Sequence, residues 1–216
     1  KILLLSHYIY YSMRSFTVWL IAICCCLSWS ARADEIQHFG LQRLTLENGL
    51  ASNTLFEIHQ DKKGFLWLGT DVGISRYDGV HFHNYDLVQI EPQAVERICE
   101  METDSLLWLK LGRHSRIACF DKTTGLYVSL KTDQEGLLDD IHDICIADSV
   151  LYVLTSEGIT RLDYRYEGEN IAITPVVVAE YAIPLKKLDC DKSRLYALDE
   201  ANNIQIYNYR DKTKKT

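Results

Sequence analysis

The sequence contains little of several residue types that mark particular classes of protein. Its 216 residues include only 3 prolines and 11 glycines, too few for a collagen-like or linker-like chain. It also lacks an excess of basic residues, since 23 lysines and arginines face 30 aspartates and glutamates, for a formal net charge of −7. This balance argues against a nucleic-acid partner, which usually requires a basic face. Hydrophobic residues make up 47% of the chain, which is enough for a folded core and argues against disorder.

The region after residue 34 lacks the motifs of several catalytic and regulatory domains. It contains no long apolar run, no glycine-rich nucleotide loop, no kinase histidine box and no helix-turn-helix pattern. No window keeps a helical period over a useful length either. We therefore predict that this chain is not an enzyme and binds no cofactor.

The first 33 residues have the pattern of a processed leader. An uncharged apolar run of about 15 residues follows a methionine-arginine pair and precedes a small-x-small site formed by Ala31 and Ala33. We predict a signal peptide over 13–33, cleaved before Asp34, with 1–12 as upstream non-native sequence. A transmembrane anchor is the alternative, but the run is shorter than the ~20 residues that a spanning helix needs.

Four cysteines remain beyond the predicted leader, namely Cys99, Cys119, Cys145 and Cys190. Three others lie inside the leader, where they would be acylation sites if the leader were of the lipoprotein type. The spacing of the remaining four matches no zinc site and no Cys-x-x-Cys motif. In an oxidising compartment they could form two disulfides, and the alternative is that they are small buried strand residues. The sequence leaves both alternatives open.

An aromatic motif recurs four times after the leader. Apolar triplets are centred on Trp67, Trp108, Tyr152 and Tyr196, at intervals of 41, 44 and 44 residues. Each triplet follows a conspicuous apolar residue by eight to ten positions, and these residues are Ile58, Ile98, Ile144 and Leu188. Repeats of this length indicate stacked structural units.

Each unit reads as four short strands separated by polar turns. In the first unit the apolar and β-branched runs lie at about 54–60, 65–70, 74–77 and 80–86. Four short antiparallel strands in about 40–45 residues are typical of a β-propeller blade, and a β-sandwich is the alternative. We therefore predict an all-β fold with four consecutive four-stranded blades. The predicted segments are a lead-in strand and loop at 34–53 and blades at 54–86, 87–130, 131–178 and 179–216, the last of them truncated.

The repeat assigns structural roles to its recurring residues. The aromatic series is expected to fill the gaps between neighbouring blades, and the glycines to permit tight turns or close approach of sheets. Asp78, Asp121 and Asp163 recur once per unit, which indicates a role in turns. The predicted structural positions are Asp61, Gly64, Trp67, Gly69, Gly73, Arg76, Tyr77, Asp78, Trp108, Tyr152 and Tyr196.

Two groups of residues carry the side chains that bind metals. His81 and His83 lie two apart on a predicted strand but lack a third ligand, so we interpret them as part of a solvated strand. The group Asp139, Asp140, His142 and Asp143 lacks the six to eight spaced oxygens that calcium requires. We interpret it as a polar loop that enters the third unit. No metal site or catalytic residue is therefore predicted, and the ligand-binding residues cannot be named.

The first unit resembles the two-component regulator propeller repeat. Residues 64–79 read GFLWLGTDVGISRYDG, in register with that family's G-F-L-W-[IL]-G-T-x-x-G-[IL]-x-R-Y-D-G. The other units resemble the pattern more loosely, with Lys110 in place of the LWLG glycine in the second unit and tyrosine in place of tryptophan in the third and fourth. The resemblance covers roughly 36–209.

The resemblance implies a periplasmic sensor of the hybrid two-component systems of Bacteroides-type bacteria. Such proteins carry a signal peptide, two propellers of about seven blades, one membrane helix and a histidine kinase, and they detect oligosaccharides as homodimers. This chain would then be an N-terminal fragment with an incomplete ring, an oligosaccharide or other small ligand, and a role in signal transduction. The resemblance leaves two alternatives: a secreted twin-propeller accessory protein similar to that of type IX secretion, and a propeller enzyme resembling streptogramin lyase.

Overall fold

A computed structural model describes residues 41–86, 94–101, 105–112, 115–181 and 183–215. The predicted signal peptide, its cleavage residues Ala31, Ala33 and Asp34, and the upstream segment lie outside the described residues. Among the residues that the structure describes, no helix has the length and apolar character that crossing a bilayer requires.

The described chain forms four successive groups of four strands. The first group is β1 (Leu55–Gln60), β2 (Leu66–Thr70), β3 (Gly73–Tyr77) and β4 (Phe82–Asp86). The second is β5 (Val95–Glu100), β6 (Leu106–Leu111), β7 (Arg116–Asp121) and β8 (Leu126–Thr132). The third is β9 (Asp143–Ala147), β10 (Val150–Thr155), β11 (Gly158–Glu167) and β12 (Asn170–Glu180). The fourth is β13 (Leu185–Cys190), β14 (Arg194–Asp199), β15 (Ile204–Asn208) and β16 (Thr213–Lys215).

Within each group the strands pair antiparallel in chain order. The helical segments of the described chain are two 3₁₀ turns, Leu46–Asn48 and Leu137–Asp139. The prediction of an all-β chain built from four-stranded units is therefore confirmed. The strands form where short β-branched and aromatic runs lie between turn residues.

The second and third blades are joined by a strand pairing that the sequence did not predict. β11 and β12 form a long hairpin of 10 and 11 residues. The start of β12 pairs parallel with β8, from Asn170 opposite Ser129 to Ile173 opposite Thr132. The two blades therefore share one eight-stranded sheet.

Two predicted blade ends differ from the strand ends in the structure. The predicted blade ends at 130 and 178 fall two residues before the ends of β8 and β12. In the segment predicted as a lead-in strand and loop, the described residues 41–53 contain no strand and include the turn Leu46–Asn48. In that turn Thr45 accepts a hydrogen bond from the Glu47 N–H, which favours a capped helical turn over an extended strand.

The first strands of successive blades lie beside one another, and we call β1, β5, β9 and β13 the inner strands. Three of the four contain a register shift after their first residue, located at Leu55/Glu57, Val95/Arg97 and Leu185/Lys187. A bulge of this kind bends a strand and redirects its side chains. The repeated bulge therefore gives these inner strands a common shape.

The hydrophobic core lies between neighbouring blades. Trp67 and Phe120 pack with their ring centroids 5.6 Å apart in the cluster shared by the first two blades. Trp108 belongs to the cluster shared by the second and third blades, and Tyr152 to that shared by the third and fourth. Tyr196, by contrast, is half-buried. Three of the four repeated aromatics thus lie at blade interfaces of the described chain.

One face of the first blade is exposed where its counterparts are covered. Ile98, Ile144 and Leu188 are buried, whereas Ile58, at the corresponding position of β1, is 60% exposed. Phe56 is exposed on the same strand. In the later blades the preceding blade covers this position, and no described residue does so for Ile58.

Candidate ligand site at the inner strands

A charged residue precedes the repeated apolar residue on every inner strand. These residues are Glu57, Arg97, Asp143 and Lys187, so the sign of the charge alternates from blade to blade. They are equivalent by register, because they lie opposite Gly69, Lys110, Leu154 and Leu198 of the second strands. The fold therefore places one charge per blade at one level of the inner strands.

Arg97 connects three of the blades. Its guanidinium lies 3.4 Å from Asp143 Oδ2 on the third blade and 3.2 Å from Asp189 Oδ1 on the fourth. Burial disfavours the charged form of Arg97, but the surrounding negative charge outweighs it and raises the pKa. That charge comes mainly from Asp143, with smaller contributions from Asp189 and Glu57. Arg97 therefore bridges the inner strands of the second, third and fourth blades.

Asp143 is the buried partner of Arg97, which corrects the prediction of a polar loop at this position. The residue begins β9 and its side chain is 1% exposed. Its Oδ2 also accepts a hydrogen bond from the Leu188 N–H at 2.9 Å, and its Oδ1 accepts from the Ile144 N–H at 3.0 Å. The carboxylate is therefore satisfied by backbone donors as well as by the arginine, and these interactions offset the desolvation cost of burying its charge.

A second ionic contact links the first two blades. Glu100, at the end of β5, has a side chain only 8% exposed, and its Oε2 lies 3.3 Å from His59 Nε2 of β1. Its other oxygen pairs with Lys122. This group stabilises the first interface in the way that the Arg97 group stabilises the next two.

A cavity of about 300 Å³ adjoins Arg97. Its polar lining consists of Arg97, Lys187, Asp189 and Tyr196, and its apolar lining of Leu188, Ala197, Leu198 and Ile204. The cavity is a mostly apolar depression beside β13, bordered by the Tyr196 ring and by Arg97 and Asp189, which pair with each other. This combination can hydrogen-bond and stack against a polyhydroxylated or otherwise polar small molecule.

The orientation of the tyrosine in this cavity is held by its neighbours. The Tyr196 hydroxyl donates to Asp191 Oδ2 at 2.6 Å, and the Arg194 guanidinium lies 5.6 Å from the ring centroid. Asp191 also accepts from the backbone N–H groups of Ser193 and Arg194, and these hydrogen bonds, led by that from Tyr196, lower its pKa. The ring is consequently fixed by the β13–β14 turn.

A larger groove of about 570 Å³ lies along β8, β12 and the loop between β8 and β9. Both of its arginines are in ion pairs: Arg116 Nε lies 2.6 Å from Asp139 Oδ1, and Arg165 lies 2.7 Å from Glu167 Oε1. The described lining of the groove contains no aromatic ring for a ligand to stack on, which makes it the weaker candidate.

The acidic group of residues 139–143 is divided by the structure. Asp139 pairs with Arg116, whereas Asp140 lies 2.9 Å from His142 Nε2 and accepts from the Ser156 hydroxyl at 2.7 Å. Burial raises the pKa of Asp140, but the hydrogen bonds from Ser156 outweigh it and lower the pKa. Across the described ranges, no group of three or more His, Cys, Asp and Glu side chains is arranged to hold a metal ion. His81 and His83 are both exposed.

The turn aspartate of the first blade locks its neighbouring tryptophan. Asp61 Oδ2 accepts a hydrogen bond from Trp67 Nε1 at 2.9 Å, and Oδ1 accepts from the N–H groups of Lys63 and Phe65. Burial raises the pKa of Asp61, but these hydrogen bonds outweigh it and lower the pKa. Gly64 completes this turn with a φ of +88°.

The remaining predicted positions of the first blade lie in turns or against neighbouring rings. A Cβ on Gly69 would collide with the Val95 carbonyl oxygen of the next blade. Gly73 has a φ of +142° in the β2–β3 hairpin. Arg76 lies over the Phe65 ring at 4.8 Å from its centroid, and Tyr77 packs on Phe82 at 4.6 Å.

The recurring aspartates after the third strand do not share one role. Asp78 accepts hydrogen bonds from the N–H groups of Val80 and His81, and Asp121 accepts from Thr123 N–H, so both cap turns. Asp163 instead lies within β11 and pairs with Arg161 at 2.7 Å. The prediction of a turn role is wrong for Asp163, because the long β11–β12 hairpin continues through this position.

The role of the charged residues on the inner strands was not predicted from the sequence. The available signal was the residue before each repeated apolar residue, which is charged in all four units. A charged residue next to a core residue on an inner strand indicates an ion pair. The partner in that pair lies on another blade, so it depends on how the sheets curve and cannot be identified from the sequence.

Comparison with known proteins identifies the fold. No protein-family model and no curated protein sequence matches the chain. Among solved structures, it is similar to the extracellular domain of BT3049 from B. thetaiotaomicron, assigned to the hybrid two-component systems, with 22% identity and a TM-score of 0.56. The alignment covers 81% of this chain and 26% of that one.

Two further solved structures have comparable scores. The extracellular domain of BT4673 from B. thetaiotaomicron, also assigned to the hybrid two-component systems, has 14% identity and a TM-score of 0.55, over 75% of this chain and 21% of that one. A catalytically inactive virginiamycin B lyase from Staphylococcus aureus, solved with quinupristin, has 15% identity and a TM-score of 0.55, over 74% and 54%.

These similarities and the blade topology define an all-β chain of β-propeller blades. The chain spans about a quarter of the length of the extracellular domains that it matches. Because a sensor domain and a lyase share this fold, the function must be argued from the site.

Proposed function

We propose that this chain is the N-terminal part of a periplasmic ligand-sensing propeller of a hybrid two-component sensor histidine kinase, and that the cavity beside Arg97 belongs to the site that detects an oligosaccharide. Exported sensors of this class would act as homodimers. Ligand binding in the propeller would rearrange the dimer, and this change would be transmitted to a kinase encoded by downstream sequence. The chain itself would carry no catalytic step.

The observation that carries the proposal is the cavity that Arg97, Asp189 and Tyr196 border. Sugars present vicinal hydroxyl groups that bind to paired donors and acceptors, and apolar ring faces that stack on aromatic side chains. Arg97 supplies the donor, Asp189 the acceptor and the half-buried Tyr196 ring the stacking surface. The similarity to two extracellular domains assigned to hybrid two-component systems supports the same role.

The binding experiment separates the two cavities. The purified protein is titrated by calorimetry with a panel of oligosaccharides released from plant, host and microbial polysaccharides. We expect saturable binding that Asp189→Ala and Tyr196→Ala each weaken at least tenfold, because the first removes the acceptor and the second the stacking ring. The control variant is Arg165→Ala in the larger groove, which should bind as tightly as the unchanged protein.

Two results would contradict this proposal. Loss of binding in Arg165→Ala with unchanged affinity in Asp189→Ala would move the site to the groove along β8 and β12. Turnover of a bound compound, detected as a new product by mass spectrometry, would favour the lyase alternative. Downstream sequence tests the kinase part separately, since a secreted accessory protein would lack a membrane helix and a kinase domain.

A further inference from the structure

The inner strands carry three thiols on three successive blades. Cys99 lies on β5, Cys145 on β9 and Cys190 on β13, and the cysteines of the described chain are all in the thiol form. Each of the two outer thiols donates to the backbone of the middle strand: Cys99 Sγ to the Ile144 carbonyl at 3.7 Å, and Cys190 Sγ to the Ile146 carbonyl at 3.2 Å. Cys145 therefore lies between two thiols that approach its own strand.

Cys145 and Cys190 lie at the same blade interface. Cys190 Sγ is 3.2 Å from the carbonyl oxygen of Ile146, the residue next to Cys145, whereas Cys99 packs against the cluster between the second and third blades. Cys145 and Cys190 also pack in the same hydrophobic cluster between the third and fourth blades. Two thiols on neighbouring strands that pack in one cluster can reach disulfide distance by side-chain rotation and a small backbone movement.

We propose that Cys145 and Cys190 are a redox-active pair that forms a disulfide between the inner strands of the third and fourth blades. This role goes beyond ligand sensing and does not depend on it. The oxidant is a disulfide, held either by a small molecule such as oxidised glutathione or by a thiol oxidase protein.

The two thiols differ in the way that disulfide exchange requires. Cys145 is 2% exposed, whereas Cys190 is half-buried and accessible. The interaction with Cys145 lowers the pKa of Cys190 against the opposing effects of burial and Asp189, and the same interaction raises the pKa of Cys145. Because a disulfide oxidant reaches the more exposed sulfur first, Cys190 is the attacking residue and the buried Cys145 the resolving residue.

The exchange balances as two successive substitutions at sulfur. The Cys190 thiolate attacks one sulfur of the oxidant, which forms a mixed disulfide and releases the first thiol of the oxidant. Cys145 then loses its proton and attacks the Cys190 sulfur, which forms the Cys145–Cys190 bond and releases the second thiol. Two protein thiols are oxidised, and one disulfide of the oxidant is reduced to two thiols.

Trypsin separates the four cysteines of the described chain into four peptides. Cleavage after lysine and arginine places Cys99 in 98–110, Cys119 in 117–122, Cys145 in 132–161 and Cys190 in 188–192. The folded protein is equilibrated in buffers of graded reduced-to-oxidised glutathione ratio, its free thiols are alkylated, and the digest is analysed by mass spectrometry. We expect a linked 132–161 and 188–192 species in oxidising buffer, with Cys99 and Cys119 alkylated.

Variants and a denatured control make the result specific. Cys190→Ser should abolish the linked species, whereas Cys99→Ser should retain it. Limiting iodoacetamide should label Cys190 before Cys99, since burial raises the pKa of Cys99 to about 12. In urea, where the blades are unfolded, the cysteines should pair without this preference.

The oxidised protein should also melt at a higher temperature than the reduced protein, because the bridge restricts the unfolded chain. This difference should vanish in Cys190→Ser and persist in Cys99→Ser. Full alkylation of both Cys145 and Cys190 at the most oxidising ratio would overturn the proposal, as would a linked species that contains Cys99 instead of Cys190.

Discussion

The buried carboxylate of Asp143 offers a quantitative test of how the blades are held together. Replacement by alanine removes the partner of Arg97 and leaves the Leu188 N–H without the acceptor that it has at 2.9 Å. An unsatisfied buried N–H costs about 1–3 kcal/mol, and breaking a buried ion pair by removing one partner costs about 3–5 kcal/mol in all. Because Arg97 keeps Asp189 and is 24% exposed, we expect the lower end, about 3 kcal/mol.

The matched control acts on the same arginine. Asp189 lies 3.2 Å from the other guanidinium nitrogen of Arg97, but its side chain is 76% exposed. An exposed ion pair contributes about 0–1 kcal/mol, so Asp189→Ala should cost no more than that. Asp143→Asn should fall between the two variants, because the amide oxygen can still accept the Leu188 hydrogen bond while the charge is lost.

Urea unfolding, followed by the fluorescence of the buried tryptophans Trp67 and Trp108, measures these differences. A loss of about 3 kcal/mol lowers the melting temperature of a chain of this size by roughly 6–12 °C. In 1 M salt the small effect of Asp189→Ala should shrink, whereas that of Asp143→Ala should persist, since exposed charges are screened more strongly. Equal losses in the two alanine variants would refute the reasoning that burial decides the contribution of each carboxylate.

Four further predictions concern the blades. Trp67→Ala should destabilise the fold by about 3–5 kcal/mol in urea unfolding, because the ring fills the first blade interface. Gly69→Ala should lower the melting temperature, since its Cβ meets a backbone oxygen, whereas Gly112→Ala should not, since its Cβ meets the flexible end of a glutamate side chain. The pKa of Asp61 is lower in the folded protein than in the unfolded chain, so its carboxylate stabilises the fold above the pKa of the unfolded carboxyl. This stability is lost as the pH falls through the pKa of the folded state. Below about pH 4 the melting temperature of Asp61→Asn should therefore fall less steeply with pH than that of the unchanged protein. Ile58→Lys should reduce self-association in size-exclusion chromatography, because it places a charge on the exposed face of β1.

Much of the first blade could be predicted from the sequence because its determinants are local. The strand lengths follow from short β-branched and aromatic runs, and the turns follow from residues such as Asp61 and Gly64, whose partners lie within six positions along the chain. Local hydrogen bonds and backbone preferences act in the same way wherever the blade lies in the fold. The repeated aromatics likewise indicated positions that pack between sheets.

The candidate site could be predicted only in part. The polar character of the region around residue 143 was visible, but its burial was not, because Asp143 is covered by Leu188 and Arg97 of two other blades. Tyr196 occupies the repeat position of the interface aromatics, and in the described chain it is half-buried and lines the cavity beside Arg97. The equivalence of repeat positions does not determine which neighbours each copy contacts.

The sequence by itself determined the all-β class, the number of repeated units in the described chain and the local turns, because these depend on residues close together along the chain. Only the tertiary structure decided the meeting of Arg97 with Asp143 and Asp189, the parallel pairing of β8 with β12 and the contact between Cys145 and Cys190. These contacts join residues about 40 to 90 positions apart. They depend on the twist and stacking angle of successive blades, which many small packing interactions set together and no single motif encodes.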